Sequence, residues 1–237
     1  MSINDNEYQL NRENIKLYLY ELAKTYRKLS KGKFKTEIII AGGASAILNY
    51  SFRETSYDID AITFEKSILK EAILKIADKY DLPDDWLNDS FTKSPSYSDK
   101  LILHSKYLCN FCNVIDIRTI KGEYLLATKV KAERIYKHDL SDIIGIIYEE
   151  RINGNDIDYK MLCDAYVELY GKMDKEKKDS FEFTKRVMEM SDKELQNEYI
   201  KVGKSEEENR ELLKKIDSEK HIIVPLDKIN DLIKNNK

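Results

Sequence analysis

Cysteine and proline are scarce in this 237-residue chain, three of each, and glycine occurs only eight times. Three cysteines cannot build a disulfide framework and suit a reducing compartment, so the expected location is the cytoplasm. So few glycines and prolines argue against a sandwich or barrel, which needs many tight turns. No stretch approaches the roughly 18–20 consecutive apolar residues of a membrane span. The start, Met1 to Asn14, is polar and lacks the apolar core of a secretory signal. A large net charge is missing too: 40 basic against 43 acidic residues leave −3, which gives no global argument for nucleic acid and leaves only a local basic patch open. What the chain does have is charge of both signs, 35% of residues against a usual ~25%. With 42% apolar residues a core can form, under a surface of charged helix.

Read along its length, the chain changes character. Ile15, Tyr18/Leu19, Leu22 and Tyr26/Leu29 predict an amphipathic helix over Asn11–Leu29. Lys31 to Lys35 is a solvated turn. Glu37 to Ala41 is short, β-branched and ended by Gly42-Gly43, so it reads as a buried strand. A helix follows from Ala44 to Tyr50, a second strand over Asp58–Phe64, and a helix over Glu65–Tyr80. Asp81–Asp99 is a connection with at most a short helix near Trp86. Lys100–Tyr107 and Phe111–Ile120 read as two further strands. From Glu123 the pattern is helical: Glu123–Tyr136, Asp139–Glu150, Ile157–Tyr170, Asp174–Glu219 and Leu226–Ile233. The organisation expected is a mixed domain over 1–153 and a helical region over 154–237, parted at Gly154–Asn155.

Chemistry concentrates in Ile38-Ile39-Ile40-Ala41-Gly42-Gly43-Ala44-Ser45, followed after one short helix by Asp58-Ile59-Asp60. Side chains alternate along a strand, so Asp58 and Asp60 share a face, roughly 7 Å apart. Two carboxylates so placed repel unless a cation lies between them, and hard oxygen ligands suit Mg²⁺ or Mn²⁺. Strand, Gly-Gly and helix together turn backbone N–H groups toward an anion, and the glycines let a phosphate approach closely. Ser45 could add a hydroxyl. A phosphate seat beside a carboxylate pair suits transfer of a nucleotide from an NTP. Taken singly, an Asp-x-Asp is often an exposed strand edge and a Gly-Gly often a plain turn; their order and proximity are the specific feature.

Gly42-Gly43 followed by Asp58-x-Asp60 resembles the signature of the polymerase-beta-type nucleotidyltransferase superfamily. Within it, Arg53, Thr55/Ser56, Asp58, Ile59 and Asp60 look like the Arg-x-Thr-x-Asp-x-Asp run of AbiEii-like bacterial toxin nucleotidyltransferases. Leu125-Leu126-Ala127-Thr128-Lys129, Ala132-x-Arg134 and Asp139-x-x-Asp142-Ile143 resemble that family's lysine on one helix and aspartate opening the next. The resemblance covers residues 38 to 145. It implies an α/β (α+β) fold with a small mixed sheet, followed by helices. It also implies Mg²⁺- or Mn²⁺-dependent transfer of a nucleoside monophosphate from an NTP, with the tRNA 3′ end as acceptor and an antitoxin as partner. On this reading Asp58, Asp60 and Asp116 hold metal, with Asp116 completing the metal or base set. Gly42, Gly43 and Ser45 hold the triphosphate, Lys129 contacts a phosphate, and Asp139 supports the site.

Several of these residues have a plainer reading from the sequence. Lys129 rises from an apolar stripe with Leu125, Ala132 and Tyr136, as a phosphate-binding cation or as a snorkelling lysine. Asp139 follows His138 as an N-cap, a catalytic support, or both. Asp116, between Ile115 and Ile117, is a third carboxylate or a polar residue on an open sheet face. Cys109-x-x-Cys112 has no second pair and supports neither zinc nor redox chemistry. Two other functions compete: an aminoglycoside-type transferase, which needs an acidic pocket for a cationic acceptor where RNA needs a basic one, and a non-catalytic binding protein.

Overall fold

The computed structural model of the chain describes residues 8–64, 67–220 and 228–236. The first helix, α1 (Arg12–Leu29), is started by Asn11, whose side chain accepts from the Glu13 and Asn14 N–H groups at 2.9 Å. The Asn14 side chain accepts in return from the Asn11 N–H at 2.7 Å. Such a reciprocal cap satisfies donors that a helix start leaves orphaned, and losing a cap costs about 1 kcal/mol. The helical-spaced residues Ile15, Leu19, Leu22, Ala23 and Tyr26 are all buried.

Five strands form one mixed sheet in the order β3-β2-β1-β5-β4: β1 (Thr36–Ile40), β2 (Ile59–Thr63), β3 (Leu87–Asn88), β4 (Ser105–Phe111) and β5 (Ile115–Ile120). Strand β1 runs antiparallel to β2 and parallel to β5, and the registers set the faces. Ile38, Ile40, Ile59, Ala61, Ile115 and Ile117 join one core with α1 and with α3 (Ser67–Tyr80). Glu37, Ile39, Asp60, Ile62, Asp116 and Arg118 therefore project from the opposite face.

The fold class is the expected α/β one, and most elements lie within two residues of their predicted ends. The departures have local causes. The connection over Asp81–Asp99 contains a short strand, β3, directly after fully buried Trp86, which donates its indole N–H to the Ile73 carbonyl at 3.2 Å. The third and fourth predicted strands shift to β4 and β5, because Asp99–Ile102 is a turn of 3₁₀ helix and Cys112 and Asn113 adopt positive φ of 55° and 57° in a tight hairpin turn. Two helices, α7 (Lys178–Met188) and α8 (Asp192–Lys220), replace the single predicted run. Within the predicted tail helix, residues 226 and 227 lie outside the described residues, and α9 covers Ile229–Asn235.

The chain divides into two compact units, though not at residue 153. The sheet unit is Tyr8–Thr128 with Lys160–Met173; the helical unit has 129–159, 174–220 and 228–236 as its described residues. The chain leaves the sheet unit within α4 (Gly122–Ala132) and returns for α6 (Tyr159–Tyr170). Polar contacts with distant sequence fasten α6 there. The Tyr124 hydroxyl donates to Glu168 at 2.6 Å, Ser98 Oγ to the Leu169 carbonyl at 2.8 Å, and the Tyr170 hydroxyl to the Ser96 carbonyl at 2.7 Å. The helical unit is built around α5 (Asp139–Ile152), whose Ile143, Ile144, Gly145, Ile146 and Ile147 are all buried. Among the described residues no helix is long and apolar enough to cross a membrane.

Candidate active site

Strand β1 ends in three fully buried isoleucines and passes through Ala41 into α2 (Gly42–Asn49). Five of the eight residues of α2 are buried, so its position in the unit is fixed from several sides. The turn depends on Gly42, whose φ is +56°; an L-residue held there costs about 1–2 kcal/mol. A Cβ on Gly42 would stand 2.7 Å from Asp60 Oδ2, and one on Gly43 would stand 2.6 Å from Arg53 Nη2 and 3.0 Å from Ser56 Oγ. Two glycines, a carboxylate, a guanidinium and a hydroxyl thus meet at the start of one helix. The Ala41 N–H donating to the Asp60 carbonyl at 2.8 Å fixes the approach. No side chain caps α2, so the positive end of its dipole faces this group. Arg53 Nε donates to the Thr55 carbonyl at 3.2 Å, which holds that side chain near the turn.

Asp58 and Asp60 flank Ile59, which is fully buried, and both aspartates are half-buried. Asp58 lies just ahead of β2 rather than in it. Asn88 opposes Asp60 across β2 and β3, and its Nδ2 is 3.5 Å from Asp58 Oδ2. One amide therefore neighbours both carboxylates, which puts them on the same side of the sheet. The Asn88 amide oxygen accepts from the Ser90 N–H at 2.8 Å, so Asn88 orients the pair and is not itself a ligand; two carboxylates with no soft ligand beside them fit Mg²⁺ or Mn²⁺. Mg²⁺ commonly uses only one or two protein carboxylates, with water and substrate phosphates completing its shell.

The other sequence candidates have partners of their own. Ser45 is fully buried, and its Oγ accepts from the Ile120 N–H at 3.2 Å and from Asn49 Nδ2 at 3.5 Å. Thr119 Oγ1 donates to Asn49 Oδ1 at 2.8 Å. Ser45 thus fastens α2 to β5. Asp116 shares the Asp60 face but stands opposite Glu37, four residues along β1 from the Ala41 level, roughly 13 Å by strand rise. It accepts from Asn110 Nδ2 at 2.7 Å. The parallel register of β1 and β5 therefore sets Asp116 apart from Asp60 along the sheet, and among the described residues no three His, Cys, Asp or Glu side chains form a metal-holding group.

Lys129 and Asp139 belong to the helical unit. Lys129 Nζ is 3.1 Å from Asp139 Oδ1 and 2.6 Å from Asp142 Oδ2, and all three residues are under 5% exposed. Arg134 Nε adds a 2.7 Å contact to Asp139 Oδ2. Burial raises the Asp139 carboxyl, but the Arg134 and Lys129 charges overcome this and hold it well below the usual carboxylate range. Asp139 is not the cap of α5. Glu206 of α8 fills that role, accepting from the Leu140 and Ser141 N–H groups at 2.8 and 3.3 Å and from Ser141 Oγ at 2.5 Å. Burial pushes the Glu206 carboxyl up to about 8.

Asn88 was missed in the sequence, and Glu206, which in the run Glu206-Glu207-Glu208 reads as part of a solvated helix face, is buried. Asn88 lies in a two-residue strand, too short for any alternation to register, and Glu206 reaches across 65 residues of chain.

A glycine turn opening a buried helix, beside an Asp-x-Asp segment on the neighbouring strand of a small mixed sheet, is the arrangement of a nucleotidyltransferase-like fold. Residues 18–194 match the family "Nucleotidyltransferase of unknown function (DUF6036)", and the chain belongs to that family. No curated protein and no solved structure matches the chain.

Proposed function

We propose that the protein moves a nucleoside monophosphate from an NTP to a hydroxyl acceptor, with Mg²⁺ or Mn²⁺ held by Asp58 and Asp60. The observation that carries this reading is the Asp60 carboxylate lying where a Gly42 side chain would be, at the uncapped start of α2. Anionic phosphates are drawn to that helix start by its N–H groups and dipole, and Arg53 beside Gly43 adds a cation to the seat. The bound cation would neutralise charge on the triphosphate and the departing pyrophosphate. The acceptor oxygen bonds to the α-phosphorus, the α–β bridging bond breaks, pyrophosphate leaves, and the hydroxyl proton passes to solvent or to a carboxylate not engaged with metal. Lys129 and Asp139 hold the start of α5 in the helical unit. The AbiEii-like motifs favour RNA, the tRNA 3′ end in particular, as acceptor, and a cytoplasmic role as the toxin of a toxin–antitoxin or phage-defence pair, with an antitoxin as partner.

The test is incubation of the purified chain with each α-³²P-labelled NTP, Mg²⁺ and total tRNA, with kanamycin as a parallel acceptor. Label on tRNA, lost in Asp60→Asn with little change in melting temperature, is the expected result. Label on kanamycin alone would move the protein to small-molecule modification. Inactivity on both would favour a binding role.

A further inference from the structure

The end of α1 and the segment after it carry a charge pattern at odds with the rest of the chain. Residues 24–35 contain Lys24, Arg27, Lys28, Lys31, Lys33 and Lys35 and no carboxylate, in a protein of net charge −3. Lys24, Arg27, Lys28 and Lys31 line a hollow of about 600 Å³, closed on its other side by the β4–β5 turn at Cys112–Val114. Lys24 is drawn back to Glu21 at 2.8 Å, whereas Arg27, Lys28 and Lys31 make no salt bridge among the described residues. Arg27 and Lys28 fall in the last turn of α1, where a cation offsets the helix dipole. The positive charge continues past the helix to Lys31, Lys33 and Lys35, so the dipole does not account for it.

From this geometry we infer that the hollow binds the phosphate backbone of a single-stranded polynucleotide. Lys24, Arg27 and Lys28 follow i, i+3, i+4 spacing and so share one face of α1, and Lys31 adds a fourth cation from the turn beyond the end of the helix. Two exposed aromatic rings belong to the same cationic segment: Phe34, 56% exposed between Lys33 and Lys35 in sequence, and Tyr20, 44% exposed, with the Lys24 ammonium 5.4 Å from its ring centre. A cationic groove with nearby rings for base stacking is the chemistry that holds single strands without regard to sequence. A lipid surface fits less well, because binding in a bilayer interface needs an apolar helix face to insert. The apolar stripe of α1 is buried in the core of the sheet unit.

The hollow lies at the start of β1 and the glycine turn at its end, one five-residue strand or roughly 16 Å apart. It would therefore hold the body of a strand, away from the transfer centre. The inference rests on these cations and is independent of the transferase reading.

The experiment is fluorescence anisotropy of the full chain with a labelled 12-nucleotide single-stranded RNA between 50 and 300 mM KCl, without NTP or Mg²⁺. Affinity is expected to fall steeply with salt. The Arg27→Glu/Lys28→Glu variant should bind at least tenfold more weakly at 100 mM KCl. Its salt slope should be shallower by about 1.4, at about 0.7 per lost phosphate contact. Phe34→Ala should weaken binding about fivefold, with melting curves showing that both variants fold. Asp60→Asn should bind like the wild type, which separates a failure here from failure of the transferase reading. Unchanged binding in the double variant would overturn the inference. So would vesicles containing 30% phosphatidylserine that retain the wild type but not the double variant, when RNA is not bound.

Discussion

A methyl group at Gly42 would meet two obstacles at once. The backbone there sits at φ +56°, which costs an L-residue about 1–2 kcal/mol, and Asp60 Oδ2 lies 2.7 Å from the added carbon. The second obstacle is relieved only by moving a carboxylate that we assign to the metal. Gly42→Ala is therefore expected to lower stability by about 1–3 kcal/mol in urea titration and to weaken Mg²⁺-NTP binding at least tenfold in calorimetry. Binding at wild-type affinity would remove Asp60 from the phosphate seat. This meeting was legible in the sequence, because strand, glycines and Asp-x-Asp are each local patterns on adjacent strands. Ser45 and Asp116 were not: their environments depend on the register between β1 and β5, strands more than seventy residues apart in sequence. The sequence showed an aspartate between two isoleucines but not which end of β1 it would face.

Helix α5 shows what charge does when buried. Lys129 is held by Asp139 and Asp142 within 3.1 Å, and removing one member of a buried ion pair costs about 3–5 kcal/mol, because the partners stay desolvated. Lys129→Ala should accordingly lose stability on that order in urea titration. A loss below about 1 kcal/mol, together with weaker NTP binding, would return Lys129 to the phosphate role suggested by its motif. Glu206, against the same helix start, acts with the opposite sign. Its carboxyl is pushed up to about 8 from an ordinary 4.5, so between those values the folded chain holds a proton that the unfolded chain has lost. Stability contributed by this group therefore falls as pH rises through that window, by at most about 1.4 kcal/mol per pH unit, and levels off above 8. Glu206→Gln should flatten the fall in stability between pH 5 and 8, read from urea midpoints at three pH values; parallel curves would assign the fall to other groups. The helices themselves were legible from periodicity. Their buried charges were legible only in part: Lys129 stood out on its apolar stripe, but its pairing with Asp139 and Asp142 and the burial of Glu206 depend on how helices pack, which no spacing reports.

At the scale of the molecule, the sequence suggested two consecutive halves, and the chain instead forms two units that share it unevenly. The shift to a helical pattern near residue 123 was visible, but the return of α6 to the sheet unit hangs on Tyr124, Ser98 and Tyr170 reaching partners 44 to 74 residues away. No spacing rule reports such contacts. The division matters for function, because Gly42, Gly43, Arg53, Asp58 and Asp60 belong to the sheet unit and Lys129, Asp139 and Asp142 to the helical one. A ligand bound only to the folded state adds RT ln(1 + [L]/Kd), about 2.7 kcal/mol at a hundredfold excess over Kd, and that protection appears first in the segments it touches. Hydrogen exchange with saturating Mg²⁺ and a non-hydrolysable NTP should therefore slow amides in 40–48 and 56–63, leaving those of 129–142 unchanged. Equal protection of 129–142 would mean that the lysine and aspartate of the helical unit take part in binding, and the buried ion pair would then have to open or lie against the ligand. Protection of neither segment, under conditions where calorimetry shows binding, would place the nucleotide away from the glycine turn altogether.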